Sequence, residues 1–252
     1  MQAFLAALGF LTRIPIPGDG WEGSHSLSRS IIFFPLVGGI IGAASAGLYL
    51  VLDPFIPRTV LSVLLIALPI FLTGGIHFDG LLDSADGLFS GRSRERSLEI
   101  MRDSRVGSMG VIAGILNVML RYSVLNALPG ALLPGLLIAQ PAAGRWAMSL
   151  ALHLFPYARK EGGLGQVFTQ EKGIVNIIFS TLLAAVVMWL TGGPAGIVIA
   201  LIAGGLSLLT AVWAAGKLGG LTGDVYGALN EVAENLFLLL WLVGSITFHL
   251  SA

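Results

Sequence analysis

Three carboxylates and a histidine fall within Gly74-Gly75-Ile76-His77-Phe78-Asp79-Gly80-Leu81-Leu82-Asp83-Ser84-Ala85-Asp86-Gly87, at the end of a long apolar run. The whole chain has only 14 acidic residues in 252. Charge beside a membrane is costly, so ionisable residues there mark sites with a task. Asp79, Asp83 and Asp86 are spaced i, i+4 and i+7, which on a helix aligns them on one face. Three mutually repelling carboxylates on one stripe call for a cation. Hard oxygen ligands, with His77 nearby, suit Mg²⁺ or Mn²⁺ rather than a soft metal.

Two other segments supply complementary groups. Arg102 and Arg105, in Met101-Arg102-Asp103-Ser104-Arg105-Val106-Gly107, are i, i+3 guanidiniums suited to phosphate oxygens. Asp224, Glu231 and Glu234 fall at i, i+7 and i+10, a second acidic helical face. Carboxylates for a divalent metal and arginines for phosphate together form the equipment of phosphoryl transfer. Plainer readings compete for some of these residues. A single aspartate at a helix end can be a solvated cap, and His77 can be a satisfied interfacial histidine. Arg92, Arg94 and Arg96 can anchor topology or anionic lipid. Arg145 lies inside an apolar run and must pair with a carboxylate or phosphate, or snorkel. His25, His153 and His249 show no ligand spacing and read as structural.

The elements that must hold these groups are membrane helices. Hydrophobic residues make up 55% of the chain and charged residues 11%, far from the roughly 25% charge of a soluble domain. Mean hydropathy is +0.87. Seven apolar runs approach the roughly 20 residues that cross a bilayer core: Ile31–Leu52, Thr59–Phe78, Gly107–Leu128, Ala131–Leu154, Ile174–Thr191, Pro194–Trp213 and Asn235–Leu250. The expectation is an all-α polytopic bundle, one integral membrane domain over residues 1–252. The 34 glycines suit close helix packing. A net charge of zero gives no field for nucleic acid, and the absence of cysteine removes disulfides and thiolate metal sites. The first 17 residues lack a basic n-region and a cleavage site, and read as a mature amphipathic segment.

Loop charge orients the bundle. Arg13, Arg29, Arg92, Arg94, Arg96, Arg102, Arg105, Arg159, Lys160, Lys172 and Lys217 fall on one side of the seven runs, and only Arg58 on the other. By the positive-inside rule the N-terminus and both acidic faces look into the cytoplasm, from the inner membrane of a prokaryote.

The segments at 74–87, at 98–107 (Leu-Glu-Ile-Met-Arg-Asp-Ser-Arg-Val-Gly) and at 219–228 (Gly-Gly-Leu-Thr-Gly-Asp-Val-Tyr-Gly-Ala) resemble the cobalamin synthase family. Phe10-Leu11-Thr12-Arg13-Ile14-Pro15 and Phe34-Pro35-Leu36-Val37-Gly38 also resemble that family's opening, so the likeness spans nearly the whole chain. The stretch around residues 155–172 carries little that matches. The resemblance implies adenosylcobinamide-GDP ribazoletransferase activity with Mg²⁺. α-Ribazole, or its 5′-phosphate, attacks the cobinamide-side phosphate of adenosylcobinamide-GDP, and GMP leaves. In that reading Asp79, Asp83 and Asp86 hold Mg²⁺ against the diphosphate, with Asp86 the first choice for general base. His77 lies beside them among the catalytic residues. Arg102, Asp103 and Arg105 orient phosphates, and Asp224, Glu231 and Glu234 complete the metal site or hold the ribazole. Besides substrates, membrane lipid is an expected partner, with a second copy or other corrinoid enzymes as further candidates.

Rival classes make different demands. A CDP-alcohol phosphotransferase shares the Asp79-Gly80-x-x-Asp83 stripe but needs a D-G-x-x-A-R core that is absent here. A cation transporter would place its acids near the bilayer midplane. A scaffold would tolerate their neutralisation.

Overall fold

A computed structural model describes residues 1–16, 24–159, 167–168 and 173–248; Lys160, Lys172 and His249 lie outside the described residues. The described chain is helical, with an isolated bridge between Tyr157 and Leu221 and no strand. Two short helices, α1 (Gln2–Leu11) and α2 (Ser24–Ser30), lead through a 3₁₀ turn at Ile31–Phe33 into α3 (Phe34–Leu52). Then come α4 (Arg58–Thr73), α5 (Ile76–Leu88), α6 (Arg94–Ile100) and α7 (Ser108–Ala127). The chain closes with α8 (Leu133–Leu154), α9 (Ile174–Leu218) and α10 (Gly223–Phe248). Pro35 falls in the first turn of α3, where its missing N–H would have had no partner.

The all-α polytopic architecture stands, and length and composition alone mark fewer than seven spans among the described residues. Among the described residues, four stretches are long and apolar enough to cross a membrane: Ser26–Leu52, Ser108–Ala127, Ile174–Leu218 and Gly223–Thr247. The bent pair α4–α5 makes a fifth if it counts as one span. Each departure has a local cause. Thr59–Phe78 is not one helix. Gly74 and Gly75 adopt φ of 66° and 73°, left-handed values that residues with a Cβ rarely hold, and α5 leaves α4 at 93°. That bend takes the acidic stripe out of line with the span before it.

Ala131–Leu154 corresponds to α8, whose polar Gln140 and Arg145 dilute its hydropathy. It needs little apolarity, because protein surrounds it: α8 packs against α3, α9 and α10, and Leu136 through Leu152 is almost wholly buried. The 45 residues of α9 contain a non-helical Gly193 (φ 57°, ψ −152°) followed by Pro194. Trp146 donates to Thr181 Oγ1 and also abuts Gly204. On a straight helix those partners would stand roughly 34 Å apart, beyond the reach of one indole. The two arms of α9 therefore fold back on each other, as the separate runs 174–191 and 194–213 anticipate. Finally, Asn235–Leu250 covers only the second half of α10, which starts at Gly223 and so carries the second acidic segment too.

Outward faces of α7 and α9 present Ile115, Leu116, Met119, Leu182, Leu190 and Leu209 with at least half of each side chain exposed. In water such belts would aggregate; in lipid they are the expected surface.

Candidate active site

The acidic helices meet because two glycines let them. A Cβ on Gly80 would stand 2.7 Å from the Asp224 carbonyl oxygen, and one on Gly227 only 3.1 Å from the His77 Cα. Helix α5 therefore lies directly on the first turns of α10, its most extensive packing partner. This crossing sets Asp83 among the charges of Asp79, Asp224 and Asp86, opposed by Arg159. Arg159 donates to Asp224 Oδ2 at 2.8 Å, and Thr222 Oγ1 reaches the same oxygen at 3.2 Å. Thr222 also accepts from the Val225 N–H, capping α10. Asp79 is exposed and Asp83 half-buried. Neither carboxylate has a hydrogen-bond or ion-pair partner among the described residues.

Asp86 is placed differently. Its Oδ2 accepts from Gly107 N–H at 2.6 Å and its Oδ1 from Gly110 N–H at 2.8 Å. Those amides are orphan donors at the start of α7, so Asp86 caps that helix from a neighbouring one. The expectation that Asp86 is the general base meets a carboxylate whose two oxygens are already engaged.

Glu231 and Glu234 do not join the acidic face. They point into the bundle, where Arg121 donates to Glu231 Oε2 at 3.0 Å and lies 3.2 Å from Glu234 Oε2. Arg145 pairs with Glu234 Oε1, which settles the partner of that intramembrane arginine. Asn117 donates to Glu231, while Gln140 and Asn230 donate to Glu234, at 2.9–3.0 Å. Arg121 also donates to Asn235. Two carboxylates and two guanidiniums cancel, and amides fill the remaining lone pairs, as buried ion pairs require. His77 belongs to the edge of this network: Arg145 approaches its Nδ1 at 3.2 Å. Arginine can only donate, so Nδ1 accepts and the ring proton sits on Nε2. His77 is thus turned away from metal ligation through Nδ1.

The loop residues also separate. Arg105 donates to both oxygens of Asp103, at 3.0 and 2.6 Å, and those bonds hold the Asp103 carboxyl down to about 2. This exposed pair is closed on itself. Arg102 is exposed beside Arg94 and Arg159 in a groove of about 230 Å³. Arg94 donates to the carbonyls of Leu218 and Ala158 at 2.6 and 2.8 Å, which ties the end of α9 to the segment that carries Arg159. In the sequence Arg159 reads only as a topological charge, and Arg94 as an anchor of topology or lipid in the basic loop. Nothing in their spacing marks them, since their partners are 65 and 124 residues away.

No group of three or more His, Asp or Glu side chains among the described residues is close enough to hold a metal alone. Mg²⁺ makes no such demand, because it commonly takes one or two protein carboxylates and completes its shell with water and substrate phosphates. The unpartnered oxygens of Asp79 and Asp83 fit that mode. Two cavities adjoin Asp79. One, of about 890 Å³, is lined by Phe10, Thr12, Arg13, Gly74, Phe78 and Asp79 among others. The second, of about 250 Å³, is lined by His77, Asp79, Tyr157, Arg159, Asp224 and Tyr226 together with apolar side chains. Asp79 borders both.

Comparison with known proteins adds to this geometry. The family described as cobalamin-5-phosphate synthase matches residues 3–242. A relative from Acetivibrio thermocellus, named adenosylcobinamide-GDP ribazoletransferase, is 41% identical over 243 residues, 96% of this chain and 97% of its own. Relatives of the same name from Desulfitobacterium hafniense and Shigella boydii are 41% and 40% identical, over 95% and 94% of this chain and 96% and 98% of theirs. No solved structure matches the chain.

Proposed function

The chain belongs to the cobalamin-5-phosphate synthase family, and from that membership we infer that it is an adenosylcobinamide-GDP ribazoletransferase. It moves the adenosylcobinamide-phosphate group of adenosylcobinamide-GDP onto α-ribazole or α-ribazole 5′-phosphate. The acceptor hydroxyl oxygen bonds to the cobinamide-side phosphorus. The bond from that phosphorus to the bridging oxygen breaks, and its electron pair leaves with GMP.

The observation that carries this reading is the meeting of two cavities at one unpartnered carboxylate, Asp79. Asp79 borders both cavities and stands where a hydroxyl on one side and a phosphate on the other would meet, so it is the group to take the hydroxyl proton. Asp83, with Asp224 beside it, would hold Mg²⁺. A bound Mg²⁺ would neutralise the diphosphate and the charge that grows on departing GMP. Arg159 anchors Asp224 and keeps one cation at the mouth of the acidic face. Arg102 and Arg94, in the adjoining groove, extend that positive character toward the guanosine phosphates. The excess of lysine and arginine on this side supports a cytoplasmic orientation in the inner membrane, where the nucleotides are.

The test is turnover by the purified protein in detergent with adenosylcobinamide-GDP, α-ribazole and Mg²⁺. GMP and a corrinoid product should appear in equal amounts, stop with EDTA, and resume with added Mg²⁺. Absence of GMP release with every component present would overturn the activity. Turnover indifferent to EDTA would overturn the metal.

A further inference from the structure

The smaller cavity contains more than the carboxylates of the transfer site. Phe10, Phe34 and Phe168 pack against one another along it, with ring centroids 4.7–6.0 Å apart. Tyr226, only 3% exposed, shares that lining. Its hydroxyl is sealed from solvent and has no hydrogen-bond partner among the described residues. The Nε of Arg159, in the same lining, is also buried without a partner. Of the nine buried side-chain N and O atoms without a partner among the described residues, these two belong to the lining of one cavity, where a ligand could satisfy both.

Size and chemistry choose between the two substrates. A corrin macrocycle with its nucleotide cannot enter about 250 Å³, whereas a nucleoside approaches the lower end of ordinary ligand pockets. Aromatic walls select a flat base, because rings stack face to face or edge to face over apolar area. We infer that this cavity is the acceptor subsite, holding the fused aromatic base of ribazole against the phenylalanine cluster and Tyr226, with the Tyr226 hydroxyl donating to the nucleoside. The larger cavity is then left to the corrinoid donor, and Phe10, Ile76 and Asp79 line both. This inference rests on the transferase reading and assigns its second substrate a place.

The experiment measures KM for each substrate, with direct binding of α-ribazole followed separately by tryptophan fluorescence in the absence of donor. Tyr226→Phe keeps the ring and should raise the acceptor KM and Kd about five-fold, the scale of one lost hydrogen bond. Phe168→Ala should raise them roughly ten-fold or more, the scale of a lost stacking face. The KM for adenosylcobinamide-GDP should stay as in the parent protein. α-Ribazole and its 5′-phosphate, tested separately, should shift alike because they share the base. An unchanged acceptor KM, or an equal rise for both substrates, overturns the subsite and leaves the transferase reading intact. Ribazole binding that weakens in Tyr226→Phe, in a protein without turnover, upholds the subsite and overturns that reading.

Discussion

Asp224 and Glu234 are both acids on α10, less than three turns apart, and their surroundings are opposite. Around Asp224 the carboxylates outnumber their cation: Asp79 and Asp83 stand near, and Arg159 is the charge that opposes them. Around Glu234 the balance is even, because Arg121 and Arg145 answer Glu231 and Glu234, and three amide side chains fill in. All four charged residues of that network are less than a tenth exposed. A bundle in lipid can bury charge only where it cancels locally, since an unmatched ion has no water to fall back on. Uncancelled charge survives only where solvent or a ligand reaches it. What separates framework from chemistry on α10 is therefore local charge balance. Both halves carry carboxylates, so residue class alone does not separate them.

The sharpest way to break that comparison is at its balanced end. Glu234→Ala leaves Arg145 without a countercharge and Arg121 with one fewer, so unfolding in detergent should come easier by about 3–5 kcal/mol. Removing both partners, as in Glu234→Leu with Arg145→Leu, should recover most of that loss. A single variant as stable as the parent would mean that the network is not holding the bundle. The opposite pattern is expected at the unbalanced end. Asp83→Asn should lower turnover by roughly 10²–10³-fold, the scale of losing one preorganised group at a reacting phosphate. Its thermal midpoint should hold or rise, because a like charge is removed. Full activity in Asp83→Asn would sink the assignment of this face to catalysis.

How much of this was legible beforehand follows the same division. The i, i+4, i+7 stripe placed Asp79 and Asp83 together, since that geometry is local and helix-borne. Apolar run length located the membrane helices for the same reason. The bend inside the run at 59–78 left no mark in the hydropathy, because two left-handed glycines stop a helix without ending an apolar run. The run at 131–154 passes for a lipid-facing span although α8 is the centre of the bundle, because composition does not say whether protein or lipid covers a helix. Glu231 and Glu234 were grouped with the acidic face by phase alone. Their real partners, Arg121 and Arg145, come from α7 and α8, and no spacing rule connects positions some 90–110 residues apart. The unpaired arginine inside an apolar run was the available signal. It demanded a carboxylate without naming which one.

Asp86 tests where the boundary between the two kinds of acid runs. It shares the stripe with Asp79 and Asp83, yet its oxygens are occupied by the Gly107 and Gly110 amides like those of a framework residue. If the cap is its whole role, Asp86→Ala should cost about 1 kcal/mol, the usual price of a lost helix cap. Hydrogen exchange should quicken at both the Gly107 and Gly110 amides, which lose the carboxylate that accepts from them. Turnover should fall only a few-fold, by the shift of α7 against α5. A loss as deep as that of Asp83→Asn, with unfolding unchanged, would move the reacting set one turn further along α5. Backbone amides on a carboxylate would then be positioning a catalytic group, and the rule that engaged oxygens mark framework would fail at this residue.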